Sequence, residues 1–177
     1  MSHLRPADIL NELTSMWRYA RSLTRDEQAA DDVVQDAVVK ALEKRSSFRP
    51  DGSRRGWLLA IVHNSFISTK RRERAESQRD ARFADMMMDH LEPDQEYAAY
   101  LHEVAHAFSA LPEHQRAALH LIAVEGQSYQ EAAAILGVPI GTIMSRLSRA
   151  RAALREGQGI APKASREFKI IGGRDVD

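Results

Sequence analysis

Apolar residues recur at helical spacing along most of the chain, and no segment shows a useful length of strand alternation. In the N-terminal half this pattern predicts three helices. The first covers residues 6–23, and the second begins at Thr24, which has the spacing of a capping box with Glu27. The third runs from about residue 54 to 74, behind a turn predicted at residues 49–53.

The second predicted helix has two different faces. Its apolar stripe consists of Ala30, Val33, Val34, Ala37, Val38, Ala41 and Leu42. The opposite side carries Asp31, Asp32, Gln35 and Asp36. Because an apolar stripe faces the core of a globular protein, the four polar residues form a candidate surface for a partner.

The C-terminal half has the same helical character. Ser128 and Glu131 have the spacing of a second capping box. The residues between Leu136 and Ile140 form a tight turn that contains Gly137. Helices are predicted over residues 95–110, 112–124, 128–136 and 140–156.

The last two predicted helices form a helix-turn-helix pattern. A short capped helix, a three-residue turn and a longer basic helix are typical of DNA-binding units of this kind. The alanines at positions 132–134 are small enough for close helix crossing. Gly137 can adopt the left-handed backbone that the turn requires. The alternative is a helical hairpin with a solvated basic face.

The longer helix of this pattern divides into an inward and an outward side. The inward stripe is predicted at Ile140, Ile143, Leu147 and Leu154. The outward side then carries Thr142, Ser145, Arg146 and Arg149. This half of a recognition helix enters the major groove and meets base edges. Arg151 and Arg155 lie further along and suit phosphate contacts.

Composition narrows the class of protein. The length of 177 residues suits two small domains of about 80 residues each. The absence of cysteine excludes disulfides and thiolate metal sites. No apolar run approaches the roughly 20 residues of a membrane span, and residues 1–6 lack a signal pattern. We therefore expect a cytoplasmic protein without a cofactor.

The net charge is zero, but the charges are segregated along the chain. Acidic residues lead from position 26 to 51, and basic residues lead from 54 to 82. Residues 83–113 contain no lysine or arginine, whereas residues 140–155 contain arginine and no acid. Two basic blocks separated by an acidic one favour two nucleic-acid surfaces. For any single block, a solvated helix face is an equally good interpretation.

Two groups of motifs resemble the extracytoplasmic-function sigma factors of bacterial RNA polymerase. The segments that resemble their second domain are DDVVQDA at 31–37, WLLAIVHN at 57–64 and the arginine pair at 71–72. The segments that resemble their fourth domain are LPEHQR at 111–116, SYQEAA at 128–133 and GVPIGTIMSRLSRAR at 137–151. Since both groups occur in the right order, the chain is identified as a member of this family.

The resemblance implies an all-α fold with two small helical domains joined by a flexible acidic linker. Sigma domain 2, which binds core polymerase and recognises and melts the −10 element, would occupy residues 1–84. The acidic linker would cover residues 85–97. Sigma domain 4, which reads the −35 element, would occupy residues 98–157, and residues 158–177 would form a loose tail.

The resemblance also implies roles for particular residues. Polymerase would be bound by the polar face at residues 31–36. The −10 element would be read and melted by the loop at 48–55 and the third helix, at Trp57, His63, Asn64, Lys70, Arg71 and Arg72. The −35 element would be read by Thr142, Ser145, Arg146, Arg149 and Arg151. For Trp57, a place in the core is favoured over a base-stacking role.

Several positions depart from the family pattern. Ala60 and His63 stand where the family often has arginine, and Ser68 where it often has aspartate. Met144 and Ser148 stand where a basic and a larger residue are common. These departures concern the promoter sequence more than family membership, and they leave fewer cationic contacts at the surface that opens the duplex.

Residues 102–106 form a literal HExxH motif. Two histidines at this spacing share a helix face and could hold zinc, with Glu103 as the base. A catalytic site also needs a third ligand, and Pro112 occupies the position of the third metzincin histidine. His114, His120 and Glu125 could serve only if the next helix folds back suitably. We therefore predict no metal site and no enzymatic activity.

The expected partners are core RNA polymerase, promoter DNA and a dedicated anti-sigma protein. Two alternative functions fit the sequence less well. A sigma-like decoy, which binds an anti-sigma protein without initiating transcription, normally carries a receiver domain that this chain is too short to hold. An ordinary helix-turn-helix repressor leaves the motifs at residues 31–64 unexplained.

Overall fold

The chain divides into two units, Met1–Glu92 and Pro93–Asp177. The structure, a computed structural model, describes residues 4–49, 51–77 and 97–157. These described residues form α-helices and one 3-10 turn and contain no β-strand, so the all-α prediction is confirmed. The predicted tail and all of the predicted linker except residue 97 lie outside them.

The N-terminal unit is built on three mutually packed helices. A short helix α1 (Pro6–Leu10) precedes α2 (Leu13–Thr24), α3 (Glu27–Glu43) and α4 (Arg54–Ser77), with a 3-10 turn at Arg45–Ser47. Helices α2, α3 and α4 each pack against the other two. Their shared core consists of Met16, Tyr19, Ala20, Leu23, Ala30, Val33, Val34, Ala37, Ala41, Leu58, Leu59, Val62 and Phe66.

The prediction of one continuous first helix is wrong, because the chain breaks between α1 and α2. The amide of Glu12 bonds to the carbonyl of Ile9 at 3.0 Å, and Glu12 then precedes the first residue of α2. The Glu12 carboxylate accepts a hydrogen bond from Arg55 of α4 at 2.8 Å. Since Ile9 and Met16 are both buried, the break preserves the apolar stripe, and the periodicity alone could not reveal it.

The capping box predicted at Thr24 is also wrong. Thr24 is the last residue of α2, and Arg25 turns the chain with a left-handed backbone at φ +62°. Asp26 therefore caps α3 instead, and its carboxylate accepts the amide of Ala29 at 2.7 Å. An aspartate in this position satisfies a free amide and places negative charge at the positive end of the helix.

The C-terminal unit consists of α5 (Tyr97–Ala110), α6 (Glu113–Ala123), α7 (Tyr129–Leu136) and α8 (Ile140–Gly157). Helix α8 packs against the other three. The buried apolar residues are Leu111, Ala117, Ala118, Leu119, Leu121, Ala132, Ile135, Leu136, Ile143, Leu147 and Ala150. The helix-turn-helix geometry thus rests on a core formed by α6, α7 and α8, with Leu111 from the connection after α5.

The local signals around α7 are confirmed. The Ser128 amide donates to the Glu131 carboxylate at 2.8 Å, and the Glu131 amide donates to the Ser128 hydroxyl at 3.2 Å. Gly137 has φ +62°, the left-handed backbone that ends α7. A side chain at this position would be strained by the backbone angle alone.

The inward stripe of α8 differs from the prediction at its first position. Ile143, Leu147 and Ala150 are buried, but Ile140 is 43 % exposed. Leu154 is half-buried. Ile140 is the first residue of the helix and directly follows the turn. Its helical spacing from Ile143 therefore does not ensure that another helix covers its side chain.

Two buried polar groups hold the start of this unit together. Arg116 of α6 donates to the carbonyl of Leu111 at 2.5 Å and to that of Ser109 at 3.4 Å, so it satisfies the end of α5. His120 faces the buried carboxylate of Glu125 at 3.3 Å. Arg116 and His120 belong to α6. Leu111 and Glu125 lie in the connections before and after it, so the two side chains tie α6 to the chain at both of its ends.

Among the described residues, no helix is both long and apolar enough to cross a membrane.

The capping box at α7 yields a stability prediction. Replacing Ser128 with alanine should lower the free energy of unfolding by about 1 kcal/mol, because the Glu131 amide loses its acceptor. Thermal or urea denaturation followed by circular dichroism measures this change. Ser148→Ala, at an exposed serine within α8, is the matched control and should leave stability nearly unchanged. Equal stability of the two variants would contradict the capping role.

Candidate nucleic-acid interface

The acidic candidate surface lies on α3. Asp31, Asp32 and Gln35 are exposed. Asp31 is also held in place, because the indole N–H of Trp17 on α2 donates to its carboxylate at 2.7 Å. These three side chains therefore form an exposed polar surface whose N-terminal end is anchored to α2.

Asp36 differs from the other three, because it is half-buried at the boundary between α3 and α4. The Lys40 ammonium donates a hydrogen bond to the Asp36 carboxylate. It also donates to the hydroxyl of Ser65, a buried residue of α4, at 3.2 Å. Burial alone would raise the pKa of Asp36, but hydrogen bonds from Lys40 and Ser65 outweigh burial and hold the pKa below its usual value. Its carboxylate thus links two helices as well as bordering the acidic surface.

The −10 candidates all lie on α4, and their exposure differs along the helix. Asn64, Arg71 and Arg72 are exposed, whereas Trp57, His63 and Lys70 are half-buried. Asn64 and Arg71 are seven residues apart and therefore share one face of the helix. The exposed part of the set thus has an amide and, about two helical turns further along α4, two guanidinium groups, which can meet unpaired bases and phosphates.

Trp57 is half-buried, so it is neither a fully buried core residue nor a fully exposed platform for a base. Its ring meets that of Phe48 edge to face, with ring centres 5.5 Å apart. Both rings are half-buried. Phe48 comes from the segment before α4, so the pair anchors that segment to the helix while part of each ring stays accessible.

His63 and Lys70 are tied to core side chains. The hydroxyl of Tyr19 and Nδ1 of His63 share a hydrogen bond of 3.1 Å. Tyr19 is fully buried, and burial raises the pKa of its hydroxyl well above the ordinary value, so it keeps its proton. The Lys70 ammonium lies 5.5 Å from the centre of the Phe66 ring. The sequence contained no signal for the role of Tyr19, since the pairing joins residues far apart in the chain.

The −35 candidates lie together on α8. Ser145 and Arg149 are exposed, and Thr142, Arg146 and Arg151 are half-buried. Ser145 donates its hydroxyl to the carbonyl of Thr142 at 2.9 Å. Because the burial of Ile143, Leu147 and Ala150 sets the rotation of the helix, the outward side is polar and basic, as the periodicity predicts.

Residues of the HExxH motif do not converge with other ligands. His102, Glu103 and His106 are exposed on α5. His120 and Glu125 are buried against each other instead. Within residues 4–49, 51–77 and 97–157, no three histidine, aspartate or glutamate side chains are grouped as a metal site.

Both units match known families. Residues 10–76 match Sigma-70 region 2, and residues 101–154 match Sigma-70 region 4. The chain is 38 % identical over 148 residues to the ECF RNA polymerase sigma factor EcfG of Rhodopseudomonas palustris. That alignment covers 83 % of this chain and 81 % of the relative.

Two solved structures are similar in fold and sequence. The sigma factor RpoE of Bartonella quintana, in complex with the anti-sigma factor NepR, has a TM-score of 0.76 and 36 % identity. The match covers 88 % of this chain and 97 % of that chain. CnrH in complex with the cytosolic domain of CnrY has a TM-score of 0.59 and 28 % identity, over 87 % and 86 % of the two chains.

These similarities decide between the interpretations of the sequence. An ordinary helix-turn-helix repressor would not account for the region 2 match, which includes the acidic surface of α3 and most of α4. The match of both regions, in order, confirms the resemblance inferred from the motifs. The chain belongs to the extracytoplasmic-function sigma factors of the sigma-70 family.

Proposed function

We propose that this protein is an alternative sigma factor, which binds core RNA polymerase and directs it to a specific set of promoters. The observation that carries the proposal is the pairing of two units. One matches region 2 and has an exposed acidic surface on α3, and the other matches region 4 and has a basic outward face on α8. The protein acts by recognition, without a catalytic step of its own, in the cytoplasm and without a metal or other cofactor.

The division of labour follows the two units. Residues 1–84 bind polymerase and open the −10 element, and residues 98–157 read the −35 element. The segment 85–97 connects the two and contains no lysine or arginine. The acidic charge of this segment makes it unsuited to contact DNA phosphates.

Polymerase binding is assigned to Asp31, Asp32, Gln35 and Asp36. The exposure of the first three supports contact with a basic surface. Asp36 contributes mainly by fixing α3 against α4 through Lys40. The acidic charge also keeps this face away from DNA phosphates, which separates polymerase binding from promoter binding on the same domain.

Promoter opening is assigned to the α4 set. The exposed Asn64, Arg71 and Arg72 supply an amide for base edges and cations for the backbone. Trp57 and Phe48 present partly accessible rings at the start of the helix. Stacking of an unpaired base on such a ring contributes about 1–3 kcal/mol. His63 and Lys70 support this surface from the core side.

Regulation by an anti-sigma protein is part of the proposal. The structure of the similar protein RpoE contains the anti-sigma factor NepR. The structure of the similar protein CnrH contains the cytosolic domain of CnrY. The acidic surface of α3 must be accessible for polymerase, so a protein that covers it competes directly with polymerase. We infer that the inhibitor of this protein covers the face at residues 31–36 and part of the C-terminal unit.

Reconstitution with core polymerase tests the proposed function. The holoenzyme should initiate transcription from a specific promoter in vitro, whereas a decoy would not. Arg146→Ala and Arg149→Ala should each weaken promoter affinity by about 1–3 kcal/mol if the guanidinium binds a base edge in two places. Arg18→Ala, at an exposed arginine of α2, is the control. Normal affinity and transcription in both α8 variants would contradict the −35 assignment.

A charge reversal on α3 tests the polymerase surface. Asp32→Lys should weaken binding to core polymerase, measured by fluorescence anisotropy, and the loss should shrink at high salt. Asp32 is a cleaner site than Asp36, whose replacement would also break the contact with Lys40. Thermal denaturation of the variant confirms that the fold is intact. Unchanged core affinity in a folded Asp32→Lys protein would mean that polymerase binds elsewhere.

Isolation of the tagged protein from its native host tests the regulation. We expect a small stoichiometric partner before stress and polymerase subunits after it. The Asp32→Lys variant should lose both partners, because they share the surface. Recovery of polymerase alone under every condition would argue against an inhibitor and in favour of control by synthesis.

A further inference from the structure

Helix α8 exposes two apolar side chains beside its polar face. Ile140 is 43 % exposed and Met144 is 55 % exposed. They stand four residues apart, so they are neighbours on one side of the helix. The core of the unit is already filled from this helix by Ile143, Leu147 and Ala150. The pair is therefore a surface feature of the first turns of α8.

The surroundings of this apolar pair point to a nucleic-acid contact. Gly141, Ser145 and Ser148 are exposed next to it, and small side chains allow a duplex to approach closely. Between residues 140 and 155 the helix has arginines and no acidic residue. A protein partner attracted by apolar groups would also have to neutralise these arginines, whereas DNA phosphates do so directly.

The major groove offers one apolar group that such a pair can contact. Base edges there present hydrogen-bond donors and acceptors, and only thymine adds a methyl group. The N-terminal half of a recognition helix is the part that meets base edges. Met144 lies in this half, next to Ser145, which is assigned to the −35 element.

We propose that Met144 reads the methyl group of a thymine in the −35 duplex, with Ile140 supporting it from one turn earlier. This inference rests on the proposed function of α8. The unbranched thioether of methionine can adapt to a methyl group at the groove floor. Helical side chains lean towards the N-terminus, so Met144 extends over the turn that contains Ile140. Met144 would thus determine specificity through an apolar contact with the thymine methyl and not through a hydrogen bond to the base.

Removing the methyl group from the DNA tests this contact directly. Thymines in the −35 region of a promoter that the holoenzyme transcribes are replaced one at a time by deoxyuridine, which pairs identically but lacks the methyl. We expect one replacement to weaken binding of the unaltered holoenzyme about fourfold. This is the effect of losing the burial of one methyl group. Met144→Ala should bind the thymine and deoxyuridine promoters equally.

Two further variants complete the design. Met144→Leu keeps an apolar side chain and should still distinguish thymine from deoxyuridine. Val124→Ala removes another exposed apolar side chain of the same unit, outside α8, and should distinguish them as the unaltered protein does. Deoxyuridine outside the −35 and −10 elements controls for general effects on the duplex.

The outcomes separate this inference from the proposed function. If the holoenzyme transcribes the promoter but no −35 thymine shows a methyl effect, Met144 does not read thymine and the proposed function stands. The same holds if Met144→Ala keeps the full methyl effect, or if it weakens binding to polymerase or to an anti-sigma protein and not to DNA. If no promoter-specific transcription occurs at all, the proposed function fails, and the inference fails with it.

Discussion

The rotation of α8 about its own axis is the constraint on which the polar, basic face of the C-terminal unit depends. Three buried side chains, Ile143, Leu147 and Ala150, fix it by packing against α5, α6 and α7. Every outward residue is then determined by helical geometry. The capping box at Ser128 fixes the start of α7, and the left-handed Gly137 ends α7 and begins the turn that leads into α8. Arg116 acts one step earlier by joining α5 to α6.

In the N-terminal unit, candidate functional side chains also form hydrogen bonds that join one helix to another. Trp17 holds Asp31, Lys40 joins Asp36 to Ser65, and Tyr19 meets His63. Each of these contacts pairs a polar surface group with a residue of another helix. Such pairing reduces the rotamer freedom that binding would otherwise have to remove. The surfaces on α3 and α4 are therefore partly ordered before any partner arrives.

Most local features could be predicted from the sequence, and features that depend on tertiary neighbours could not. The capping box at Ser128 and the left-handed Gly137 involve residues within one turn and were predicted from their spacing. The same spacing at Thr24 and Glu27 was misleading, because Asp26 is the residue that caps α3. The break after α1 escaped detection because the apolar stripe continues through it. The exposure of Ile140 depends on what lies beside the first turn of α8, and the link between Tyr19 and His63 spans two helices. The exposed polar and basic residues of α8 could be predicted because most of its buried stripe has a plain helical period.

The division of α8 into buried and exposed residues has an evolutionary consequence. Exposed positions such as Met144, Ser145 and Ser148 make few packing contacts, and exchanges at such positions usually change stability by less than about 0.5 kcal/mol. Substitutions at these positions in a duplicated gene would therefore leave the packing of α8 against its neighbours unchanged. If these positions read the promoter as proposed, divergence of such copies would change promoter choice at little cost in stability. The same fold can in this way supply a genome with many independent transcriptional programmes.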